Sequence, residues 1–271
     1  MAGADEAGRV PAGDQTALVV EDVHVAFGGV RAVDGVSLSL RRDEILSLLG
    51  QNGAGKTTLL NCVSRSVRHT AGRIAVLGHD VAKLAPYQVT RLGVSRTFQS
   101  VALFGQLNAL QVGLLGVDFR SRATMVEYAL RLPRALRDER AAKAKVVEAL
   151  RFVGFDAPLE RRLGELSYGQ AKLADLARAV TAGPRLLLLD EPAAGLNGEE
   201  RRVIAEAIER VHKELSVPVI VIEHDIDLVR RLSHRTVIMD AGRVIGDGRL
   251  DDLLARPEVS ASLLGTAATA T

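Results

Sequence analysis

The run Gly50-Gln51-Asn52-Gly53-Ala54-Gly55-Lys56-Thr57-Thr58 has the residue types and spacing of a loop that wraps a polyphosphate. Glycines let backbone N–H groups close on the phosphates, and a side chain at Gly50 or Gly55 is expected to block that approach. Lys56 supplies a point charge between the outer phosphates. Thr57 offers a hydroxyl to Mg2+, and Thr58 continues into a helix whose free N–H groups aim their dipole at the anion. Residues 45–49 are apolar enough for the strand such a loop needs, and Leu59, Leu60 and Val63 fit the helix after it. The expected ligand is a nucleoside triphosphate.

A second feature with chemical content is the pair Asp190 and Glu191, which follows four leucines. A buried strand would deliver two carboxylates at its end, where phosphoryl transfer needs them. In phosphate-loop ATPases the first holds Mg2+ with its water shell, and the second orients and deprotonates the attacking water. Taken alone, either carboxylate could instead cap the turn before Pro192.

The elements that position these groups can be read around them. Residues 18–40 alternate short β-rich runs with turns, Gly28-Gly29 among them, and read as antiparallel strands. A strand is expected over 73–77, closed by Gly78. Asn108 is placed to cap a helix, and 137–153 carries Val146, Val147, Leu150 and Val153 at helical spacing with Gly154 as the stop. The text over 118–162 has no β character and holds 11 Lys/Arg against 7 Asp/Glu. It reads as an inserted helical lobe, its charge either a solvated face or a dock for an acidic partner.

From Ser167 helix and strand alternate. Leu173, Leu176, Ala177 and Val180 form a helical stripe ending at Gly183-Pro184; 186–189 is a buried strand; Ile204, Ile208, Val211 and Leu215 line another helix; 219–222 is a further buried strand. A final hairpin over 236–245 turns at Ala241-Gly242. This order implies a mostly parallel sheet with helices on its faces and ligand chemistry at the carboxyl ends of the strands.

Composition limits the partners and the compartment. A chain of 271 residues with a net charge of +2 can bury its own core, and its charge does not argue for nucleic acid. The single cysteine, Cys62, excludes an intrachain disulfide and reads either as a small buried hydrophobe or as a reactive thiol. Residues 1–16 lack the apolar core of a signal peptide and are expected to be a loose tail, as are 266–271. The uncharged stretch 97–117 is long enough to raise the question of a membrane span, but Gln99, Gln106, Asn108 and Gln111 with three glycines make it too polar. An exposed surface that docks against something apolar is the better account.

Leu166-Ser167-Tyr168-Gly169-Gln170 resembles the signature sequence of ATP-binding cassette (ABC) ATPases. The resemblance makes Ser167, Gly169 and Gln170, at the start of their helix, a second anion site that grips a γ-phosphate from the side opposite Lys56. It implies a head-to-tail pair of cassettes, with each ATP between the Lys56 loop of one and the Ser167 helix of the other. Phe27 resembles the aromatic that stacks on adenine, with a buried strand phenylalanine as its rival. Gln99, in Arg96-Thr97-Phe98-Gln99, resembles the glutamine that contacts the metal and relays nucleotide state to a membrane partner. His224, in Ile222-Glu223-His224-Asp225, resembles the histidine that contacts the γ-phosphate. The other five histidines show no metal-ligand spacing.

Phe27-Gly28-Gly29-Val30-Arg31-Ala32-Val33, Ser95-Arg96-Thr97-Phe98-Gln99 and Glu191-Pro192-Ala193-Ala194-Gly195-Leu196-Asn197 are similar to the ATPase subunits of branched-chain amino acid importers. Gln51, Ala171 and Asp175 depart from the usual residues of that branch, as does the run 64–69.

The resemblance implies an α/β fold of the ABC-type phosphate-loop NTPase over 17–265, with an N-terminal antiparallel β subdomain and a helical lobe over about 100–165. It further implies ATP and Mg2+ as cofactors, with Lys56, Glu191 and His224 as catalytic groups and Thr57, Gln99 and Asp190 around the metal. The partners would be a second cassette, identical or paralogous, two transmembrane permease subunits and, indirectly, a solute-binding protein, with no nucleic acid. The location would be the cytoplasmic face of the membrane. Other cargo, such as urea, amides or exported lipid, and a soluble ABC ATPase in repair, translation or iron-sulfur assembly, are the alternatives.

Overall fold

The protein is described here from a computed structural model covering residues 15–98, 101–117 and 132–264. The expected tails and Gln99 therefore fall largely or wholly outside the described residues, as does 118–131 of the lobe. The chain forms two units: 1–96, 185–194 and 212–271 in the first, 97–184 and 195–211 in the second.

The first unit holds two sheets. A four-stranded antiparallel sheet contains β1 (Thr16–Phe27), β2 (Val30–Arg41), β4 (Ala71–Val76) and β5 (His79–Asp80), in the order β2-β1-β4-β5. A six-stranded sheet runs β10-β9-β3-β8-β7-β6, from β3 (Ile45–Leu49), β6 (Val94–Arg96), β7 (Leu186–Asp190), β8 (Val219–Ile222), β9 (Arg235–Asp240) and β10 (Arg243–Gly248). All neighbours in it are parallel except β9 and β10.

Every residue of β3, β7 and β8 is buried, as the unbroken apolar runs predict for strands covered on both faces. Leu46, Leu48, Leu186, Leu188, Ile220 and Ile222 join Val20, Val25, Val36 and Leu40 of the antiparallel sheet in one core.

Three strand connections are two-residue turns with positive φ at both positions: Gly28-Gly29, Leu77-Gly78 and Ala241-Gly242. Such turns match the strand twist, and glycine is the residue that takes the conformation without strain. Ala241-Gly242 was legible as a hairpin turn. At Gly78 the sequence reading stopped short, since the chain turns back at once into β5, and the strand before it starts and ends earlier than 73–77.

Helix α1 (Lys56–Val63) follows β3 directly. Cys62 is fully buried in it, and burial pushes its thiol up to about 11, which settles the choice in favour of an inert hydrophobe at neutral pH. The short helices α2 (Pro86–Arg91), α7 (Ile226–Leu232), α8 (Leu250–Leu254) and α9 (Pro257–Leu264) complete the unit. The charge-rich periodic patterns of the long helices have no counterpart in these, and the sequence did not reveal them.

The second unit is helical. Its described helices are α3 (Ala109–Leu114), α4 (Pro133–Phe152), α5 (Tyr168–Thr181) and the start of α6 (Gly198–Leu215), with α3, α4 and α5 packed against one another. Asn108 caps α3 by accepting from the Gln111 amide, as expected. Helix α4 begins four residues before the predicted start, because Pro133 occupies the first-turn position where its missing N–H costs nothing, and it stops before Gly154 at φ 82. Gly113 lies so near Val146 that a Cβ would come within 2.2 Å of it, which fixes how closely α3 and α4 pack. In α6 Ile204, Ile208 and Val211 are buried, whereas Leu215 in the last turn is exposed. No helix among the described residues is long and apolar enough to cross a membrane.

Candidate functional site

In the first unit the chain leaves β3 at Gly50 and enters α1 at Lys56, and the loop between them is shaped by its neighbours. Gly50 has φ 146 and a Cβ there would lie 2.1 Å from the Met239 carbonyl oxygen; Gly55 has φ 95 and its Cβ would meet the Ala32 carbonyl oxygen at 2.2 Å. Both glycines are thus demanded by the protein's own backbone, a reason that stands beside the approach of a phosphate. Gly53, at φ 85, has open space around its Cβ position.

Denaturation in urea should separate the three. Gly50→Ala and Gly55→Ala are expected to lose about 3 kcal/mol or more through combined strain and overlap, and Gly53→Ala only about 1 to 2.

Lys56 is buried, at 5% exposure, and its ammonium donates to the carbonyls of Gly50 at 2.7 Å and Gln51 at 2.8 Å. Burial pulls its pKa down from the ordinary lysine value, while the charges of Glu191 and Asp190 work the other way. The ammonium therefore ties the end of the loop back to its first two residues. Asn52 and Gly53 form the exposed tip, Ala54 is buried beneath it, and the Gln51 side chain turns away to donate to the Ser262 carbonyl of α9. What Gln51 offers an anion is its backbone.

The three central strands bring the other groups together at their carboxyl ends. Asp190 is fully buried at the end of β7, with Oδ1 at 3.4 Å from the Thr57 hydroxyl and Oδ2 accepting from Arg96 Nη2 at 2.7 Å. Glu191, one residue on, leaves the sheet with φ 51, and its Oε1 lies 3.0 Å from Nε2 of His224 at the end of β8. Its side chain is a quarter exposed, so solvent reaches it but not Asp190. Glu223 is buried, accepts from the amides of Ala193 and His224, and is pushed above the usual carboxylate range by burial. It pins the segment after Glu191 to the one carrying His224.

An alcohol and a carboxylate oxygen converging on one point are hard oxygen donors, the set that suits Mg2+ held jointly with phosphates. No cluster of three or more His, Cys, Asp or Glu able to hold a metal occurs among the described residues.

Phe27, at the end of β1, is 51% exposed, so the buried-strand alternative is set aside and its ring is free to stack. In the second unit Ser167 caps α5 in a reciprocal box with Gln170, its hydroxyl accepting from the Gln170 amide at 3.2 Å while Gln170 Oε1 accepts from the Ser167 amide. The Gly169 amide donates to Glu200 Oε1, and Glu200 is held below the ordinary glutamate range first by the Ser167 hydroxyl.

Sequence reasoning missed Arg96, Glu200 and Glu223. Glu200 was findable, since Asn197 and Glu200 have the spacing of a capping box and make one. Arg96 had only the rule that a buried aspartate needs a partner.

A glycine loop between strand and helix, a lysine at its end and two carboxylates at the end of β7 in the same sheet define a phosphate-loop nucleoside triphosphatase of α/β architecture. A signature-type capped helix in a separate helical unit narrows the class further. The ABC transporter family matches residues 33–194, and the chain belongs to it as an ATP-binding ATPase.

Among curated relatives, the chain is 34% identical to the high-affinity branched-chain amino acid transport ATP-binding protein BraF of Pseudomonas aeruginosa, over 92% of this chain and 98% of that protein. It is 33% identical to its counterpart LivG of Salmonella typhimurium, over 93% and 99%. Among solved structures it is similar to the ADP conformation of MJ1267, an ATP-binding cassette of an ABC transporter, with TM-score 0.79, 26% identity and coverage of 92% and 99%.

Proposed function

We propose that the protein is the ATP-hydrolysing subunit of an importer for branched-chain amino acids, working as a pair of cassettes beneath two membrane subunits and, through them, with a solute-binding protein. The cargo rests on the relatives: BraF and LivG are both branched-chain amino acid transport proteins, and they align along nearly the whole chain. What supports the paired arrangement is that one chain carries both the Lys56 loop and the capped helix start at Ser167, the second of which a lone nucleotide site does not need.

The same reading gives each group its step. Phe27 stacks on the base, and the amides of the 50–58 loop take the phosphates as Lys56 moves its ammonium from the Gly50 and Gln51 carbonyls to the outer phosphate oxygens. Thr57 and Asp190 would hold Mg2+, which supplies charge neutralisation at the β- and γ-phosphates. Glu191 accepts a proton from the attacking water, and His224 holds its carboxylate from the other side. Gln99 lies outside the described residues, and its place at the metal is proposed from its motif alone. Leu103 and Leu115, exposed within the uncharged stretch 97–117 that contains it, offer the membrane subunits an apolar surface.

Purification with detergent-solubilised membranes of the source should recover polytopic subunits; recovery with ribosomes or DNA would end the transport reading. Ser167→Arg, placed in a hydrolysis-deficient Glu191→Gln chain, is expected to abolish ATP-dependent dimers on gel filtration while leaving monomer ATP affinity within about threefold. Dimers that persist would remove Ser167 from the interface.

A further inference from the structure

We propose that Arg96 is a positioning residue for the metal site, holding the Asp190 carboxylate in the one orientation that presents Oδ1 to Thr57. The proposal rests on the reading of Thr57 and Asp190 as the metal-side pair. Arg96 ends β6 and Asp190 ends the adjacent parallel strand β7, with Arg96 paired to Leu188 in register, so the guanidinium reaches sideways along the carboxyl edge of the sheet. Nη2 takes Asp190 Oδ2 at 2.7 Å. Nη1 of the same group donates to Asn61 Oδ1 and lies 3.5 Å from Ser64 Oγ, the first on the helix that opens with Lys56 and Thr57 and the second capping its end.

One planar fork therefore ties three elements: the strand carrying the carboxylate, the strand carrying the arginine and the helix carrying the hydroxyl. With Oδ2 taken, rotation of the carboxylate is blocked, and Oδ1 is the oxygen directed at Thr57, 3.4 Å away. A lysine could neutralise the charge but could not span Asp190 and Asn61 together with fixed geometry. Asp190 is also fully buried, so it has no solvent to substitute for a lost partner.

The test reads metal binding apart from turnover. In the full chain with saturating ATP, Mn2+ binding followed by electron paramagnetic resonance should show a midpoint raised about tenfold by Arg96→Met, equivalent to about 1.4 kcal/mol, and partly restored in Arg96→Lys. ATP affinity without divalent metal should stay within about twofold. Asn61→Ala keeps the charge and removes the tether, and is expected to raise the midpoint about threefold; it carries the test if Arg96→Met does not fold.

A midpoint unchanged or lowered in Arg96→Met or, failing that, in Asn61→Ala overturns the proposal, as does a parallel fall in metal-free ATP affinity. If Asp190→Asn and Thr57→Ala also leave the midpoint unmoved, the metal reading itself has failed rather than the part given to Arg96.

Discussion

Replacing Lys56 by alanine is expected to lower ATP affinity a hundredfold or more. A charge-assisted hydrogen bond contributes about 1.5 to 3 kcal/mol, so losing contacts to two outer phosphates removes about 3 to 6 kcal/mol. The effect has a second source. The ammonium bridges the Gly50 and Gln51 carbonyls, so the alanine variant also loses what keeps the loop shaped before any ligand arrives. Titration calorimetry with ATP measures the affinity, and circular dichroism checks that the fold survives. Normal affinity in a folded Lys56→Ala chain would contradict the phosphate-loop assignment.

Glu191→Gln should slow single-turnover hydrolysis by two to three orders of magnitude, the range that loss of a general base produces, with ATP affinity within about threefold of the parent. The choice of Glu191 over Asp190 is geometric. Asp190 is fully buried with one oxygen held by Arg96 and the other facing Thr57, whereas Glu191 is partly exposed and lies against His224. Glutamine keeps the shape and the left-handed backbone at φ 51. Gel filtration with ATP should therefore show an accumulated dimer that the parent chain dissipates by turnover. An undiminished rate would remove Glu191 from the role of base.

The groups that carry the chemistry were legible because each sits at the end of an element with a strong local signal. The leucines of β7 announce a strand buried on both faces, and the carboxylates that follow can only emerge at its end. Asn108 and Ser167 each announce a helix start through the acceptor they offer the N3 amide, and both make that bond. What the sequence withheld is non-local. β6 has three residues, too few for any periodicity, and it is a strand because β7 lies beside it. The contacts that force Gly50 and Gly55 come from Met239 and Ala32, and the partner of Asp190 comes from Arg96, across separations no local pattern encodes. The lobe was legible as helical, but the buried pair Asp175 and Arg178 and the half-exposed Phe98 meet there in an arrangement that depends on packing: the Phe98 amide and Arg178 both donate to Asp175, which burial pushes above the usual carboxylate range.

The strand order also sets a timetable for biosynthesis. β3, which carries the phosphate loop, lies between β8 and β9, so neither of its sheet neighbours exists until the nascent polypeptide has been extended through Ile222 and then Asp240. At the usual elongation speed of about 5 to 20 residues per second, that leaves an apolar strand unpaired for roughly ten to forty seconds. The antiparallel sheet is complete well before then, and its buried residues, which share a core with Leu46 and Leu48, are the part able to shelter Ile45–Leu49 while it waits.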